Sequence, residues 1–242
     1  MLVAILTVVS SSIASELISP IDTPKDAISQ TFAYIGVDKK LQIIKEISDP
    51  VVTLLTMAES LTPFLSSTVI GRKAWKLDFE KLIFSAKGYE LLQSEIRPMT
   101  MTVIVDSATG RLFKVSLVVI NDSGLAIEKP SDSSAERQLA AAREIIIGFP
   151  DENPAISFLE ALKKCYGDFL SAREIEADYI QHSHLQSPTR DVWSIHLYGL
   201  PPRLVRPGSD IPVEQRNHMR TVIDENTGQI LFSTNLPQPV EY

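Results

Sequence analysis

The sequence predicts an α+β protein of two tandem modules, in each of which helices pack on a small antiparallel sheet. An Asp-x-x-Thr-Gly motif begins at Asp106 and again at Asp224. The two tryptophans of the chain, Trp75 and Trp193, each lie 31 residues before one of these aspartates. Because this tryptophan-to-aspartate spacing is identical in the two places, it indicates a unit that is duplicated with an offset of 118 residues. Within each unit, helical apolar spacing is followed by strand-like alternation.

Each motif is typical of a hairpin turn. An aspartate at the end of an apolar run accepts hydrogen bonds from backbone N–H groups two or three residues on, and glycine takes the positive φ that closes a short loop. An alternative makes either aspartate a metal ligand or general base, but no histidine or second carboxylate recurs beside both motifs. Structural turn roles are therefore predicted for Asp106, Thr109, Gly110, Asp224, Thr227 and Gly228.

The first half of each module is predicted to be helical. Thr23 is an N-cap followed by proline, and the helix that it begins ends at Gly36. Apolar spacing predicts two more helices in the first module, over residues 39–47 and from 49 to about 61. In the second module, helices are predicted from about Ser134 to Gly148 and from Asn153 through an apolar stripe that reaches Phe169.

The second half of each module is predicted to be antiparallel sheet, because apolar residues alternate with polar ones. Residues 112–120 and 229–233 each follow an Asp-x-x-Thr-Gly motif and form the second arm of a hairpin. The predicted strands are residues 73–79, 99–105, 112–120, 174–180, 192–198, 220–223 and 229–233.

The domain boundaries follow from composition. The N-terminal apolar run, with small residues at Ser12 and Ala14, predicts a signal peptide and hence a secreted or periplasmic protein. No basic residue precedes this run, and a buried first strand is the alternative. The predicted divisions are a signal peptide over 1–15, a first module over 22–128, a polar linker over 129–133, a second module over 134–236 and a tail over 237–242.

Composition excludes several classes of function. A net charge of −7 and a pI near 5.2 argue against a nucleic-acid surface, which needs a basic face. The apolar runs are too short to span a bilayer, so no integral membrane segment is predicted. A single cysteine, Cys165, excludes an internal disulfide and is interpreted as a buried apolar residue.

The sequence contains no recognisable catalytic constellation. Helical His-x-x-x-His spacing, a nucleophile elbow and glycine-rich phosphate loops do not occur. The histidines are His182, His184, His196 and His218, and the last two are expected on neighbouring strands of one sheet. Three or four convergent ligands are needed for a metal site. No catalytic residue, metal or cofactor is therefore predicted.

The second hairpin and its tryptophan strand resemble a PepSY-type module. Trp193-Ser194-Ile195-His196-Leu197 leads to Arg220-Thr221-Val222-Ile223-Asp224 and the Thr227-Gly228 turn, and Trp75 with residues 105–112 is similar in the first module. The resemblance implies a cystatin-like fold, with a helix on a small antiparallel sheet. It also implies an envelope or secreted protein that binds or restrains a peptidase or peptide, without catalytic residues.

Two regions are candidates for a partner contact. Trp75 and Trp193 are platforms for a peptide or small ligand if exposed, and core anchors if buried. The proline-rich loop over residues 200–212 carries Arg203 and Arg206, and is either a partner contact or an irregular surface connection.

Three hypotheses about function follow, in order of preference. The first is a non-catalytic exported protein that binds a protein or peptide. The second is a hydrolase with a His and carboxylate site between the modules, for which His196 and His218 are the test residues. The third is a structural homodimer in which sheet edges pair. The sequence leaves the oligomeric state open.

Overall fold

A computed structural model describes residues 20–37, 43–57, 69–85, 97–120, 144–165, 168–184, 188–201 and 218–236. These residues form ten antiparallel strands and two short helices. The helices are α1 (Pro24–Ile35) and α2 (Phe158–Lys163), and a 3-10 turn spans Asp168–Leu170. The strands are β1 (Ile44–Ile47), β2 (Pro50–Thr56), β3 (Lys73–Phe84), β4 (Met99–Asp106), β5 (Leu112–Val119), β6 (Glu144–Gly148), β7 (Glu174–His184), β8 (Arg190–Tyr198), β9 (His218–Asp224) and β10 (Ile230–Leu236).

Helix α1 begins and ends where the sequence predicts. The Thr23 side chain accepts a hydrogen bond from the Asp26 N–H at 3.2 Å, which caps the first turn. Gly36 has a φ of 84° and donates its N–H to Phe32 O, which closes the C-terminus in the left-handed conformation that glycine favours.

The other predicted helices are wrong in whole or in part. Residues 44–47 and 50–56 are strands β1 and β2, and residues 144–148 are strand β6. Helix α2 covers only part of the stripe that begins at Asn153, because Ser157 and Glu160 form a capping box that starts the helix at Phe158.

All ten strands belong to one sheet. Its main path runs β1-β3-β4-β5-β7-β8-β9-β10, with β2 paired to β3 and β6 paired to β7. Each duplicated unit contributes a helix and a four-stranded meander. We call α1 with β2–β5 the first repeat and α2 with β7–β10 the second. The repeats are joined where β5 pairs with β7, from Val115 opposite Ala177 to Val118 opposite Glu174.

The predicted fold class is therefore wrong. In place of two modules with helices packed on separate small sheets, the described residues form one sheet-rich unit with two short helices. The α+β, cystatin-like interpretation fails because short apolar runs of β-branched residues pair as strands. The predicted leader (1–15), linker (129–133) and tail (237–242) lie outside the described residues.

The two faces of the sheet differ. One face carries the main core, in which alternate strand residues such as Leu77, Val103 and Ile195 pack with α1 and α2. The opposite face has a smaller apolar cluster near the turns, which includes Phe113, Ile180 and Val222. No helix in the described ranges is both long enough and apolar enough to cross a membrane.

Candidate functional site

The two Asp-x-x-Thr-Gly motifs form matching turns. Gly110 N–H donates to Asp106 O at 2.8 Å, and Gly228 N–H donates to Asp224 O at 2.9 Å. Both glycines have positive φ, 74° and 64° respectively. The hydroxyl of the motif threonine donates to the aspartate carboxylate in each copy. These contacts explain why the motif uses Asp, Thr and Gly at this spacing.

Each motif aspartate also pairs with an arginine. Arg72 forms an ion pair with Asp106, and Arg190 Nη1 donates to Asp224 Oδ2 at 3.0 Å. Burial tends to raise the pKa of Asp224, but hydrogen bonds from Thr227 and Arg190 outweigh it and lower that pKa. Sequence reasoning missed these arginines, although they share the 118-residue offset of the motifs.

The tryptophans lie in the core. Trp193 is completely buried and Trp75 nearly so. The indole N–H of Trp75 donates to Ile21 O, and that of Trp193 donates to Ile156 O, each at 2.9 Å. Both acceptors lie just before the N-cap of a helix. Each tryptophan therefore anchors a helix to the tryptophan strand of its own repeat.

Buried polar side chains occupy the sheet face opposite the helices, on strands of the second repeat and on the adjoining strand β5 of the first. They project from β5, β7, β8 and β9 at alternating positions, away from the core residues of the same strands. We call this group the polar cluster. Its members are Lys114, Glu176, Asp178, Ser194, His196, Tyr198, His218 and Arg220.

A chain of hydrogen bonds runs through the polar cluster from β9 to β8 and back. Arg220 Nε donates to Ser194 Oγ at 3.0 Å, and Ser194 Oγ lies 3.3 Å from His196 Nε2. His196 Nδ1 shares a hydrogen bond with His218 Nε2 at 3.0 Å. Tyr198 stacks on His218, with ring centroids 4.3 Å apart. The expectation that His196 and His218 lie on neighbouring strands is confirmed.

The two histidines of the polar cluster, His196 and His218, are held neutral. Burial, with the charge of Arg220 next in importance, lowers the pKa of His218 to about 4 and that of His196 well below its usual value. A neutral imidazole donates from one nitrogen and accepts at the other. The hydrogen bond between His196 and His218 can therefore point in either direction, depending on the tautomer of each ring.

The two carboxyl groups of the polar cluster, Glu176 and Asp178, have different surroundings. Lys114 forms an ion pair with Glu176, and both side chains are largely buried. Burial raises the pKa of Asp178 to about 7, although Lys114 and Arg220 oppose this shift. Asp178 Oδ1 is buried and has no hydrogen-bond partner among the residues that the structure describes. Such an oxygen is costly unless a donor reaches it.

The first repeat provides an internal control for the polar cluster. At the 118-residue offset, Lys76 takes the place of Ser194 and Asp78 takes the place of His196. Lys76 and Asp78 form an ion pair in which the two side chains are 37% and 36% exposed, whereas Ser194 and His196 are buried. The fold is thus built without buried polar groups at these positions. Their burial is specific to the second repeat.

The register shows which residue of the first repeat matches Asp178. Asp178 is opposite Ser194 in the second repeat, and Thr53 is opposite Lys76 in the first. Thr53 is exposed. Thr53 is therefore the natural reference position for changes at Asp178.

Sequence reasoning identified only part of the polar cluster. It named His196 and His218, but it did not predict that the carboxyl groups of Glu176 and Asp178 are buried in the same cluster. The sequence shows polar residues at alternate positions of β7 and β8, but a solvent-exposed sheet face gives the same pattern. The loop arginines Arg203 and Arg206 lie outside the described residues.

Two further sequence interpretations concern metals and the cysteine. Among the described residues, no group of three or more His, Cys, Asp or Glu side chains is arranged to hold a metal ion. His182 is buried beside the ring of Phe232, and the side chain of His184 is not described. Cys165 is a buried core residue, and burial raises the pKa of its thiol to about 12.

No protein-family model matches the chain, and no similar curated protein or solved structure was found. The resemblance to PepSY-type modules therefore stays a prediction that rests on the sequence motifs alone.

Proposed function

We propose that this protein is a binding protein without catalytic activity of its own, and that the polar cluster receives a polar group of a protein or peptide partner. The observation that carries the proposal is the contrast between the repeats. The same strand positions are ordinary surface in the first repeat and an enclosed set of hydrogen-bonding groups in the second. The first repeat folds without buried polar groups at these positions, so their presence in the second repeat is not a requirement of the fold.

Asp178 indicates the chemistry of the group that binds. Its Oδ1 atom lacks a donor among the described residues, so a partner N–H or O–H group would complete its hydrogen bonding. An amino group suits this position best, because a positive charge also favours the ionised form of a carboxyl whose pKa is raised. Peptide amino termini and lysine side chains carry this group.

The proposal is tested by thermal shift with a library of short peptides that have free amino termini. We expect some members to raise the melting temperature of the wild-type protein, because a ligand that binds only the folded state stabilises it. The Asp178→Asn variant should lose the shift. The matched variant Thr53→Ala should keep it, because Thr53 is the exposed counterpart of Asp178.

Two results would contradict binding at this site. One is a library in which no peptide stabilises the wild-type protein. The other is a shift that Asp178→Asn retains in full. Either result would leave the polar cluster as a structural network that fixes the register of β7, β8 and β9.

A hydrolase is the second candidate, and the hydrogen-bond chain is the observation that favours it. Ser194 Oγ contacts Nε2 of His196, and His218 contacts Nδ1 of the same ring. In a serine hydrolase, the nucleophile and the orienting group contact the general-base histidine at these two nitrogens. Ser194 Oγ would bond to the acyl carbon, and its proton would pass through His196 to the leaving group. This candidate is second because the group on His196 Nδ1 is another imidazole, that of His218, where a Ser-His-Asp triad has a carboxylate.

The two functions are distinguished by a fluorophosphonate probe, which labels activated serines. A hydrolase predicts labelling at Ser194 that the Ser194→Ala variant abolishes. A binding protein predicts no labelling of the wild-type chain under conditions in which the peptide shift is observed.

Export from the cytoplasm also belongs to this proposal. It is supported by the apolar N-terminal run and the small residues that follow it. The intact mass of the protein isolated from its native host tests it. Loss of the first fourteen or fifteen residues would support export, and an intact Met1 would contradict it.

A further inference from the structure

The edge strand β10 of the second repeat corresponds to β5 of the first, and β5 is the strand that joins the two repeats through its pairing with β7. Leu117 of β5 is opposite Met101, and Asn235 of β10 is opposite Met219. Both pairs are related by the same 118-residue offset. β5 uses its other side to bind β7, whereas β10 has no strand on its other side among the described residues. The free edge of β10 is thus a copy of an edge that already binds a strand.

Strand β2 repeats β7 in the same way. Ile175 of β7 is opposite Leu197, and Pro50 of β2 is opposite Phe79, which is the counterpart of Leu197 in the first repeat. β7 binds β5 on its other side, and in the described part of the chain β2 has no strand there. Val51, next to Pro50, is 56% exposed.

The hydrogen-bond direction at the central junction is fixed by one contact. Val119 N–H donates to Arg173 O at 3.0 Å. In an antiparallel ladder the bonding direction alternates along each strand. Ile175, two residues after Arg173 and opposite Leu117, therefore turns its N–H and C=O toward β5.

The same alternation shows which way Pro50 faces. Met57 N–H donates to Arg72 O at 2.9 Å. Because the bonding direction alternates, residues of β2 an even number of positions from Met57 turn their backbone N–H and C=O toward β3. Pro50 is seven positions from Met57, so its backbone is directed away from β3, toward the edge of the sheet. Where Ile175 offers an N–H to the neighbouring strand, Pro50 has none.

We propose that the β10 edge of one copy of this chain fits the β2 edge of another, and that Pro50 is the residue that prevents this pairing. Such a contact joins two different edges, so it does not close and would build an open-ended assembly. A proline on an edge strand is a known protection against this outcome. Asn235 would lie opposite Pro50, as Leu117 lies opposite Ile175.

The test replaces the protecting residue with its counterpart from the central junction. We expect the Pro50→Ile variant to form oligomers that grow with concentration in sedimentation velocity, while the wild-type protein sediments independently of concentration. Adding Asn235→Pro to Pro50→Ile should restore the wild-type behaviour, because Asn235 faces outward and the second proline removes the donor from the opposite edge.

A Pro50→Ile variant that melts like the wild-type protein and still sediments as it does would overturn the proposal. Association that persists in the double variant would also overturn it. If Pro50→Ile does not fold, a peptide with the β7 sequence, Glu174–His184, decides the matter. It should bind the wild-type protein and fail to bind Asn235→Pro, and equal behaviour toward both would contradict the proposal.

Discussion

At the scale of single residues, the polar cluster holds groups whose proton affinities are shifted in opposite directions. His196 and His218 resist protonation in the folded protein because they are buried beside Arg220. Asp178 resists ionisation because burial disfavours its charged form and raises its pKa, and its Oδ1 atom has no hydrogen-bond partner in the described part of the chain. Stability must therefore depend on pH in a way that separate substitutions can resolve.

The first prediction concerns acidification from about pH 6.5 to about pH 4. The unfolded chain takes up protons on both histidines, which the folded protein does not, while the folded protein takes up a proton on Asp178 that the unfolded chain does not. The excess of one proton in the unfolded state lowers the free energy of unfolding by up to ~1.4 kcal/mol per pH unit. Urea unfolding at several pH values measures this slope.

Variants separate the two contributions to the pH slope. Asp178→Asn removes the opposing carboxyl, so the fall in stability with acidification should be about twice as steep. Replacing His196 and His218 together by Gln should reverse the contribution of the cluster. Other carboxyl groups titrate in the same range, so the comparison is between variants. Identical slopes in all three proteins would show that these groups are not buried as described.

The second prediction concerns the turn glycines. Gly228 has a φ of 64°, and an added Cβ would meet only ordinary contacts, the nearest at 3.5 Å from Lys164 Cε. Gly228→Ala should therefore cost about 1–2 kcal/mol of stability from backbone conformation alone. Gly148→Ala is the matched control, because its φ lies outside the left-handed region and nothing lies within 4 Å of the added atom. Equal stabilities of the two variants would exclude backbone strain at the turn.

At the scale of elements, the sequence predicts strands and turns better than helices. Strands β3, β4, β5, β7, β8, β9 and β10 were predicted because alternation over a strand with one buried face is a strong signal. The segments that became β1, β2 and β6 are short apolar runs, in which helical and strand spacing coincide over a few residues. Their β-branched residues, such as Val51, Val52 and Ile145, favour the strand.

The candidate site was only partly predictable for a related physical reason. Histidines on neighbouring strands are visible in the sequence, but the burial of a polar face depends on the whole sheet. Glu176 and Asp178 alternate with apolar residues just as surface residues do. Nothing local distinguishes them from Lys76 and Asp78 of the first repeat, whose side chains are more than a third exposed.

The third prediction concerns the contact between a helix and its tryptophan strand. Trp193→Phe keeps most of the buried ring but removes the N–H that donates to Ile156 O, so we expect a loss of about 1–3 kcal/mol in chemical unfolding. Trp75→Phe removes the equivalent bond to Ile21 O and should cost a similar amount. A neutral effect at both positions would show that these bonds do not fix the helices.

At the scale of the whole molecule, the continuous sheet ties the two repeats together. β5 and β7 pair through Val115–Val118 and Glu174–Ala177, and the main core includes residues of both repeats. Two separate modules would share neither feature. The duplication explains the motifs, and the pairing of the repeats explains why the result is one sheet.

The fourth prediction is that both repeats unfold together. Trp75→Phe leaves Trp193 to report on the second repeat, and Trp193→Phe leaves Trp75 to report on the first. For each variant, the fluorescence transition in urea should coincide with the loss of sheet measured by circular dichroism. Fluorescence that departs from circular dichroism in either variant would indicate that the repeats unfold independently.

The central claim is that the polar cluster of the second repeat holds a buried carboxyl that awaits a donor from a partner. The most direct test is a carbon-13 NMR titration of the Asp178 carboxyl, with Asp178→Asn to assign its signal. We predict a pKa of about 7 in the free protein and a lower pKa when a stabilising peptide is bound. A pKa near the ordinary value for aspartate in the free protein, unchanged by any peptide, would contradict the claim.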